Sequence, residues 1–216
     1  MTERTGFLYP FLDDAVDDPA ALLDDLARSA AGKWAESLEL RASSLEDLEG
    51  ALTGAALALA VRVAAGGRVL VFGNGGSATD AEAFAQNCLD ASPRPIPALC
   101  LASEPAVLTA LANDIGVDAI FARQVAAHGR GHDVVVAFST SGGSTNVLAA
   151  LDRARALGLE TVGIVGYGGG AMQAHVDHCL AVRSDSVHRI QEAQTAIAEA
   201  LIAAASQHVQ NLEGDR

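Results

Sequence analysis

Two short apolar runs in this chain each end at a loop of small, polar residues that is followed by a helical pattern. The first run is residues 68–72, and its loop, residues 73–77, reads Gly-Asn-Gly-Gly-Ser. The second run is residues 134–138, and its loop, residues 139–144, reads Ser-Thr-Ser-Gly-Gly-Ser. A buried parallel strand that leads through such a loop to a helix N-terminus surrounds an anion with backbone N–H groups and hydroxyls. The pattern therefore predicts a phosphorylated ligand held between two loops of one sheet.

The rest of the chain alternates between strand-like and helix-like segments. We expect strands at about 68–72, 96–101, 133–138, 161–165 and 178–182. Helices are expected at about 78–90, 144–157 and 187–210, with one or two short helices across 105–128. Strands that alternate with helices form a parallel sheet covered on both faces, which is a three-layer, doubly wound α/β fold. Such folds bind ligands at the carboxyl ends of the strands, where both loops lie.

The start of the chain differs from the remainder in charge, being rich in aspartate. We expect an acidic helical N-terminal extension over 1–45 and the ligand-binding domain over 46–216. The Asp-Pro pair at 18–19 is typical of an N-cap and first helical residue. It predicts one helix over about 19–33, and a Ser-Ser pair predicts a second over about 44–65.

Composition excludes several classes of function. The formal net charge is −13 over 216 residues, whereas a nucleic-acid surface needs a basic patch. The longest apolar stretch, residues 51–65, contains Arg62 and is too short for a membrane span. The three cysteines have no Cys-x-x-Cys spacing, so we expect free thiols in a cytoplasmic protein.

The first loop also fits the dinucleotide fingerprint Gly-x-Gly-x-x-Ala through Gly73, Gly75 and Ala78. A tight strand-to-helix turn needs the same glycines, and the acidic residue expected after the second strand comes late, at Glu104. The hydroxyl-rich second loop suits a compact phosphate monoester. A dinucleotide site therefore ranks below a sugar-phosphate site.

Five strings in a fixed order, at residues 71–81, 108–114, 120–121, 137–146 and 189–192, carry a resemblance to a known family. The chain resembles the sugar isomerase (SIS) domain family and, within it, the sedoheptulose 7-phosphate isomerase (phosphoheptose isomerase) group. The resemblance implies a five-stranded parallel sheet and an enzyme of carbohydrate metabolism that binds a phosphorylated sugar. It also implies a homo-oligomer, usually a tetramer, with sites at subunit interfaces.

The resemblance assigns ligand contacts position by position. It implies a phosphate loop formed by Ser139, Thr140, Ser141 and Ser144. It also implies a set of residues that contact the sugar or line the site: Asn74, Gly75, Ser77, Asn113, Asp114 and Gln191. Purely structural roles stay open for some of them, since Asn74 could hold a turn and Asp114 could cap a helix. The four hydroxyls of the second loop have no comparable alternative, because turns rarely need so many.

The resemblance fails where the chemistry should be. Moving a carbonyl between C1 and C2 requires a base that carries a proton through an enediol. The group uses a His and a Glu four residues apart, and the matching positions here are Ala83 and Asn87. A further family histidine corresponds to Glu199, so only Gln191 remains of the family's zinc ligands. We therefore expect no metal and no other cofactor.

Glu199 is the candidate replacement base, because it shares a helix face with Gln191 two turns earlier. It could equally be a solvated or interface glutamate. His188 could reach a phosphate or act as an acid, and Asp80 is explained as a first-turn acid that complements the helix dipole. The chain is either an isomerase with a relocated base or a non-catalytic SIS protein. The latter would sense a sugar phosphate or contact a protein partner, like the family's replication-initiator-associating member.

Overall fold

A computed structural model describes residues 19–214 of the chain. The α-helices are α1 (Pro19–Asp47), α2 (Glu49–Ala64), α3 (Gly76–Leu89), α4 (Pro105–Asp114), α5 (Ile120–His128), α6 (Thr145–Ala156) and α7 (Val187–Gly214). The strands are β1 (Val69–Phe72), β2 (Ala98–Cys100), β3 (Val134–Ser139), β4 (Glu160–Val165) and β5 (His178–Ala181). Short 3₁₀ segments occupy Val117–Ala119 and Tyr167–Ala174. Within residues 19–214, no helix combines the length and the apolar character needed to cross a bilayer.

The five strands form one parallel sheet in the order β2-β1-β3-β4-β5, so the predicted doubly wound fold is confirmed. The chain winds in one direction from β1 to β2 and in the other from β3 to β5. The crevice at such a reversal, here between β1 and β3, is where open α/β sheets bind ligands. Phe72 at the end of β1 lies opposite Ala137 of β3, so the two polar loops begin side by side.

The strands are buried on both faces. Val69 and Val71 of β1 pack in the core beneath α2, α3 and α7, whereas Leu70 and Phe72 pack in the core beneath α5 and α6. Phe72 stacks on Phe121 of α5 with ring centroids 4.9 Å apart. Because neither face of these strands meets solvent, they appear in the sequence as continuous apolar runs.

The N-terminal helices differ from the prediction. α1 continues to Asp47 instead of ending near residue 33, because Gly32 is a lone glycine followed by strong helix formers. α2 then begins at Glu49, and its N-cap residue Leu48 makes no side-chain cap. The hydroxyl of Ser43 donates back to the Leu40 carbonyl (3.3 Å) within α1 and so starts no helix.

The chain divides into two compact units after Glu39. The predicted boundary between 1–45 and 46–216 stays a prediction. The proposed N-cap at residue 18 lies outside the described residues.

Candidate functional site

A reciprocal amide pair joins the first polar loop to the first turn of α6, the helix that follows the second loop. Asn74 Nδ2 donates to Asn146 Oδ1 (2.8 Å), and Asn146 Nδ2 donates to Asn74 Oδ1 (2.9 Å). Asn74 is exposed, whereas Asn146 is only 4% exposed and lies in the first turn of α6. Asn74 has no positive φ, so the alternative that it holds a left-handed turn is wrong, and its side chain instead makes this amide pair. Sequence reasoning missed Asn146, although it closes the matched string 137–146.

The second loop is shaped by its own hydroxyls. Ser139 is 3% exposed, and its Oγ accepts a hydrogen bond from the Gly142 N–H (3.1 Å). The Oγ of the exposed Ser141 accepts from the Gly143 N–H (3.2 Å). Gly142 sits at φ +64°, a left-handed conformation that glycine adopts without strain. The buried Ser139 hydroxyl therefore stabilises the turn of the loop at Gly142.

Ser144 ends this loop as the N-cap residue of α6. Its hydroxyl makes no cap hydrogen bond to the helix, unlike that of most N-cap serines. The first N–H groups of α6 have no carbonyl partner within the helix, and the positive end of the helix dipole lies at the same place. The Ser144 hydroxyl and these N–H groups together form a site that can receive an anion, beside the half-buried Thr140.

A glycine-rich segment after β4 packs directly behind the second loop. A Cβ on Gly142 would lie 2.5 Å from the Gly169 carbonyl oxygen, and one on Gly170 would lie 2.5 Å from that of Ser141. The Met172 N–H donates to the Gly142 carbonyl (2.9 Å). Side chains are thus excluded on both sides of the contact. The run of three glycines at 168–170 could have predicted this close contact between the two segments from the sequence.

α7 reaches both loops through two glutamines. Gln191 lies against the first loop, since a Cβ on Gly76 would be 2.2 Å from its Nε2. Gln194 is fully buried, and its Nε2 donates to the carbonyls of Ser139 (3.3 Å) and Ile164 (2.9 Å). Gln194 therefore holds the ends of β3 and β4 together under the loop. A glutamine in phase with the apolar face of α7 could have revealed it.

The first loop also brings its predicted residues into place. Gly75 is the N-cap residue of α3 at φ +56°, a conformation that favours glycine. Ser77 is 4% exposed and packs under Gly73, where a Cβ would lie 2.5 Å from the Ser77 carbonyl oxygen. Ser77 thus supports the turn from within. Its predicted contact with a sugar stays a prediction.

Asn113 and Asp114 are exposed and bonded to each other, with Asn113 Nδ2 donating to Asp114 Oδ1 (2.8 Å). They are the last two residues of α4, so Asp114 ends a helix instead of starting one. The segment after α4 is linked to the start of α6, because Thr145 Oγ1 donates to Asp118 Oδ1 (2.5 Å).

The positions matched to the family's catalytic residues lie where α3 borders α7. Asn87 of α3 and Glu199 of α7 line one cavity of about 280 Å³, together with Asp90, Ser92 and Ile202. Glu199 is exposed, as is His188 at the start of α7. The predicted relocated base thus opens onto the same cavity as the matched position Asn87.

The zinc site that the family implies does not fit this donor set. The four matching positions supply two amides, one carboxylate and the methyl group of Ala83. Zinc in proteins is held by thiolate, imidazole and carboxylate ligands. Among residues 19–214, no group of three or more His, Cys, Asp and Glu side chains is placed to hold a metal ion.

Asp80 stands out among the carboxylates near the first loop. Because α3 begins at Gly76, Asp80 lies in the second helical turn, so the dipole explanation for it is wrong. Its Oδ2 is shielded from solvent and has no hydrogen-bond partner. Burial raises the pKa of Asp80 from 3.8 to about 6. The carboxylate therefore changes its charge in the mildly acidic range, well above the usual range of an aspartate.

The thiols take no part in this site. All three cysteines are free, as predicted, and Cys88 is buried whereas Cys100 and Cys179 are half-buried. Burial raises the pKa of the Cys88 thiol to about 12 and also raises that of Cys179. Thiols with raised pKa values are poor nucleophiles at neutral pH.

Comparison with known proteins gives a consistent result. A family model described as an SIS domain matches residues 33–166. A phosphoheptose isomerase of Rhodospirillum rubrum is 42% identical over 160 residues, which cover 73% of this chain and 85% of the relative. A phosphoheptose isomerase of Geobacter sulfurreducens is 42% identical over 181 residues, which cover 82% of this chain and 93% of the relative.

Two solved structures are also similar to this fold. A phosphoheptose isomerase from Francisella tularensis has a TM-score of 0.79 and 33% identity, covering 84% of this chain and 98% of that one. A phosphoheptose isomerase from Neisseria gonorrhoeae has a TM-score of 0.79 and 32% identity, covering 84% of this chain and 99% of that one. The similarity to both structures therefore extends over most of this chain and nearly all of each of the other two.

Proposed function

The chain belongs to the SIS domain family, and we propose that it is an aldose–ketose isomerase acting on sedoheptulose 7-phosphate or a closely similar sugar phosphate. The family expected from the five sequence strings is confirmed. The observation that carries the proposal is the pair of facing loops at the reversal of the sheet, where the amide of Asn74 pairs with that of Asn146. One loop suits a phosphate group, and the other brings amide groups to the sugar.

Binding of the phosphate follows from local geometry, because the protein as a whole is acidic. Ser141 and Ser144 lie in the loop that leads into α6, and Ser144 is the N-cap residue of that helix with a hydroxyl that makes no cap hydrogen bond. Backbone dipoles and hydroxyls hold an anion there in spite of the net charge of −13. The amides of Asn74 and Gln191, on the opposite side of the crevice, would bond the sugar hydroxyls.

Catalysis requires a proton acceptor at the far end of the bound sugar from its phosphate. The sequence predicts Glu199 as this acceptor, with its Cα about 12 Å along α7 from that of Gln191 at 1.5 Å per residue. Glu199 lines the cavity that also contains Asn87. Asp80 of α3, whose pKa is raised by burial, is a second candidate. The mechanism uses no metal, since the residues at the family's zinc positions do not fit one.

We also propose that the protein is a cytoplasmic homo-oligomer, most simply a tetramer. Leu57 and Val61 lie one helical turn apart on α2 and are 47% and 50% exposed. Large exposed apolar patches mark contacts between proteins, and we propose that this pair belongs to such a contact with another subunit. Sedimentation of the full-length chain tests this assembly.

The direct test is turnover of sedoheptulose 7-phosphate by the purified full-length chain, with and without added zinc. We expect turnover that zinc does not increase. Replacing both Ser141 and Ser144 by Ala should weaken binding by a few kcal/mol, because each hydrogen bond to a charged acceptor is worth about 1.5–3 kcal/mol. Thr53→Ala, which removes an exposed hydroxyl bonded within α2, is the control.

The alternative function has a distinct outcome in the same experiment. A non-catalytic sugar-phosphate-binding protein would show no turnover, while sedoheptulose 7-phosphate would still raise its melting temperature. Unchanged affinity in the double serine variant would remove the second loop from the proposal.

A further inference from the structure

The carboxylate of Asp80 is partly buried without a full set of hydrogen-bond partners, and no contact among the described residues explains this. Its Oδ2 is shielded from water yet accepts no hydrogen bond. Leaving a carboxylate oxygen in this state costs free energy, and most buried polar atoms in proteins have a partner. Groups kept in such an unfavourable state are frequent at catalytic sites.

The position of Asp80 along α3 connects it to the proposed site. Residues 76, 80, 83 and 87 lie on successive turns of one helix face, since an α-helix has 3.6 residues per turn. At the upper end of this face Gly76 contacts Gln191, and at the lower end Asn87 shares a cavity with Glu199. Asp80 therefore lies between two points at which α3 borders α7. It is the one carboxylate among these four positions.

The proton affinity of Asp80 suits proton transfer at neutral pH. A general base works best when its pKa lies near the working pH, and burial raises the pKa of Asp80 to about 6. The strands packed against α3 carry a single titratable side chain, Cys100 of β2. The charged or titratable side chains of α7, the other element packed against α3, are His188, Arg189, Glu192, Glu199, His208 and Glu213.

We propose that Asp80 is the carboxylate that carries the proton between C1 and C2 of the bound sugar phosphate. This role rests on the isomerase function proposed above. Asp80 takes a proton from C1 of the ketose, and the C–H electron pair forms the C1=C2 bond of an enediolate as the π pair of the C2=O bond moves onto O2. The same proton then returns to C2 while the hydroxyl proton passes from O1 to O2. One hydrogen moves from C1 to C2 and one from O1 to O2, so no external oxidant or reductant is needed.

The test compares Asp80→Asn with Glu82→Gln in the full-length chain, using sedoheptulose 7-phosphate as substrate. Glu82 lies on the same helix, is exposed, and loses the same charge. We expect Asp80→Asn to lower kcat by about 100-fold or more with KM changed by less than about threefold, because general base catalysis contributes factors of this size. Glu82→Gln should leave both constants unchanged.

The pH profile of kcat separates a base from a structural carboxylate. For the wild-type chain kcat should rise with pH through an ionisation near 6 and then level off, since the base acts when deprotonated. Asp80→Glu, which keeps the carboxylate, should recover part of the activity and keep this acid limb. A structural role would predict a loss of folded protein with no change in the limb.

The outcomes separate this proposal from the function on which it rests. Absence of turnover in the wild-type chain overturns both. Turnover in the wild-type chain together with full kcat in Asp80→Asn, or a flat wild-type profile between pH 5 and 7, overturns the role of Asp80 and leaves the isomerase intact. If Asp80→Asn does not fold, the wild-type profile and Asp80→Glu decide the matter.

Discussion

Replacing Asp80 by Asn should make the protein more stable at alkaline pH. The fold raises the pKa of this carboxyl from 3.8 to about 6 by burial. Each pKa unit is worth 1.36 kcal/mol, so the full effect would be about 3 kcal/mol of destabilisation of the charged form. Since the side chain is half-exposed, solvent screening reduces this to about 1–2 kcal/mol. An uncharged amide of the same shape avoids that cost.

The sign of the pH dependence follows from the direction of the shift. A raised pKa means that the fold favours the protonated form, so the contribution of Asp80 is fully present below pH 3.8 and is lost as pH rises through about 6. Asp80→Asn should therefore match the wild-type chain near pH 4 and exceed it at pH 8. For a domain of this size, 1–2 kcal/mol corresponds to a rise in Tm of about 3–6 °C.

Urea unfolding of both chains at pH 4 and pH 8, at one fixed protein concentration, measures this difference. Glu82→Gln is the matched control, because it removes one charge from the same helix at an exposed position. An equal gain in Glu82→Gln would attribute the effect to relief of the net charge of −13 instead of to burial. No gain for Asp80→Asn at pH 8 would refute the reasoning.

Two further predictions concern the loops. Gly142→Ala should destabilise the fold by more than about 1 kcal/mol and abolish binding of sedoheptulose 7-phosphate, because the new Cβ would lie 2.5 Å from the Gly169 carbonyl oxygen. Gly158→Ala, at a similar positive φ but in open space, should bind normally in the same calorimetric titration. Asn146→Ala should cost about 1–2 kcal/mol in urea unfolding and weaken binding, since it leaves Asn74 without its amide partner. Equal stability of this variant and the wild-type chain would contradict that role.

Much of the fold was predictable because its signals are local. The strands are buried on both faces, so each appears as an apolar run, and their predicted positions agree with β1 to β5 within about two residues. The helix boundaries near the N-terminus were not predictable in this way. A Ser-Ser pair can cap a helix or lie within one. At 43–44 the pair lies within α1, where the Ser43 hydroxyl bonds to the carbonyl of Leu40 in the preceding turn.

The sequence by itself determined the two strand–loop–helix units and the residue types in each loop, because strand, turn and helix N-terminus follow from neighbouring residues. It also determined that the family's catalytic positions hold Ala83 and Asn87. Only the tertiary structure decided which side chains meet across long separations. Asn74 pairs with Asn146, and Gln194 supports Ser139, across 72 and 55 residues respectively. The raised pKa of Asp80 was also decided by the tertiary structure, because desolvation depends on what packs around a carboxylate and cannot be predicted from neighbouring residues.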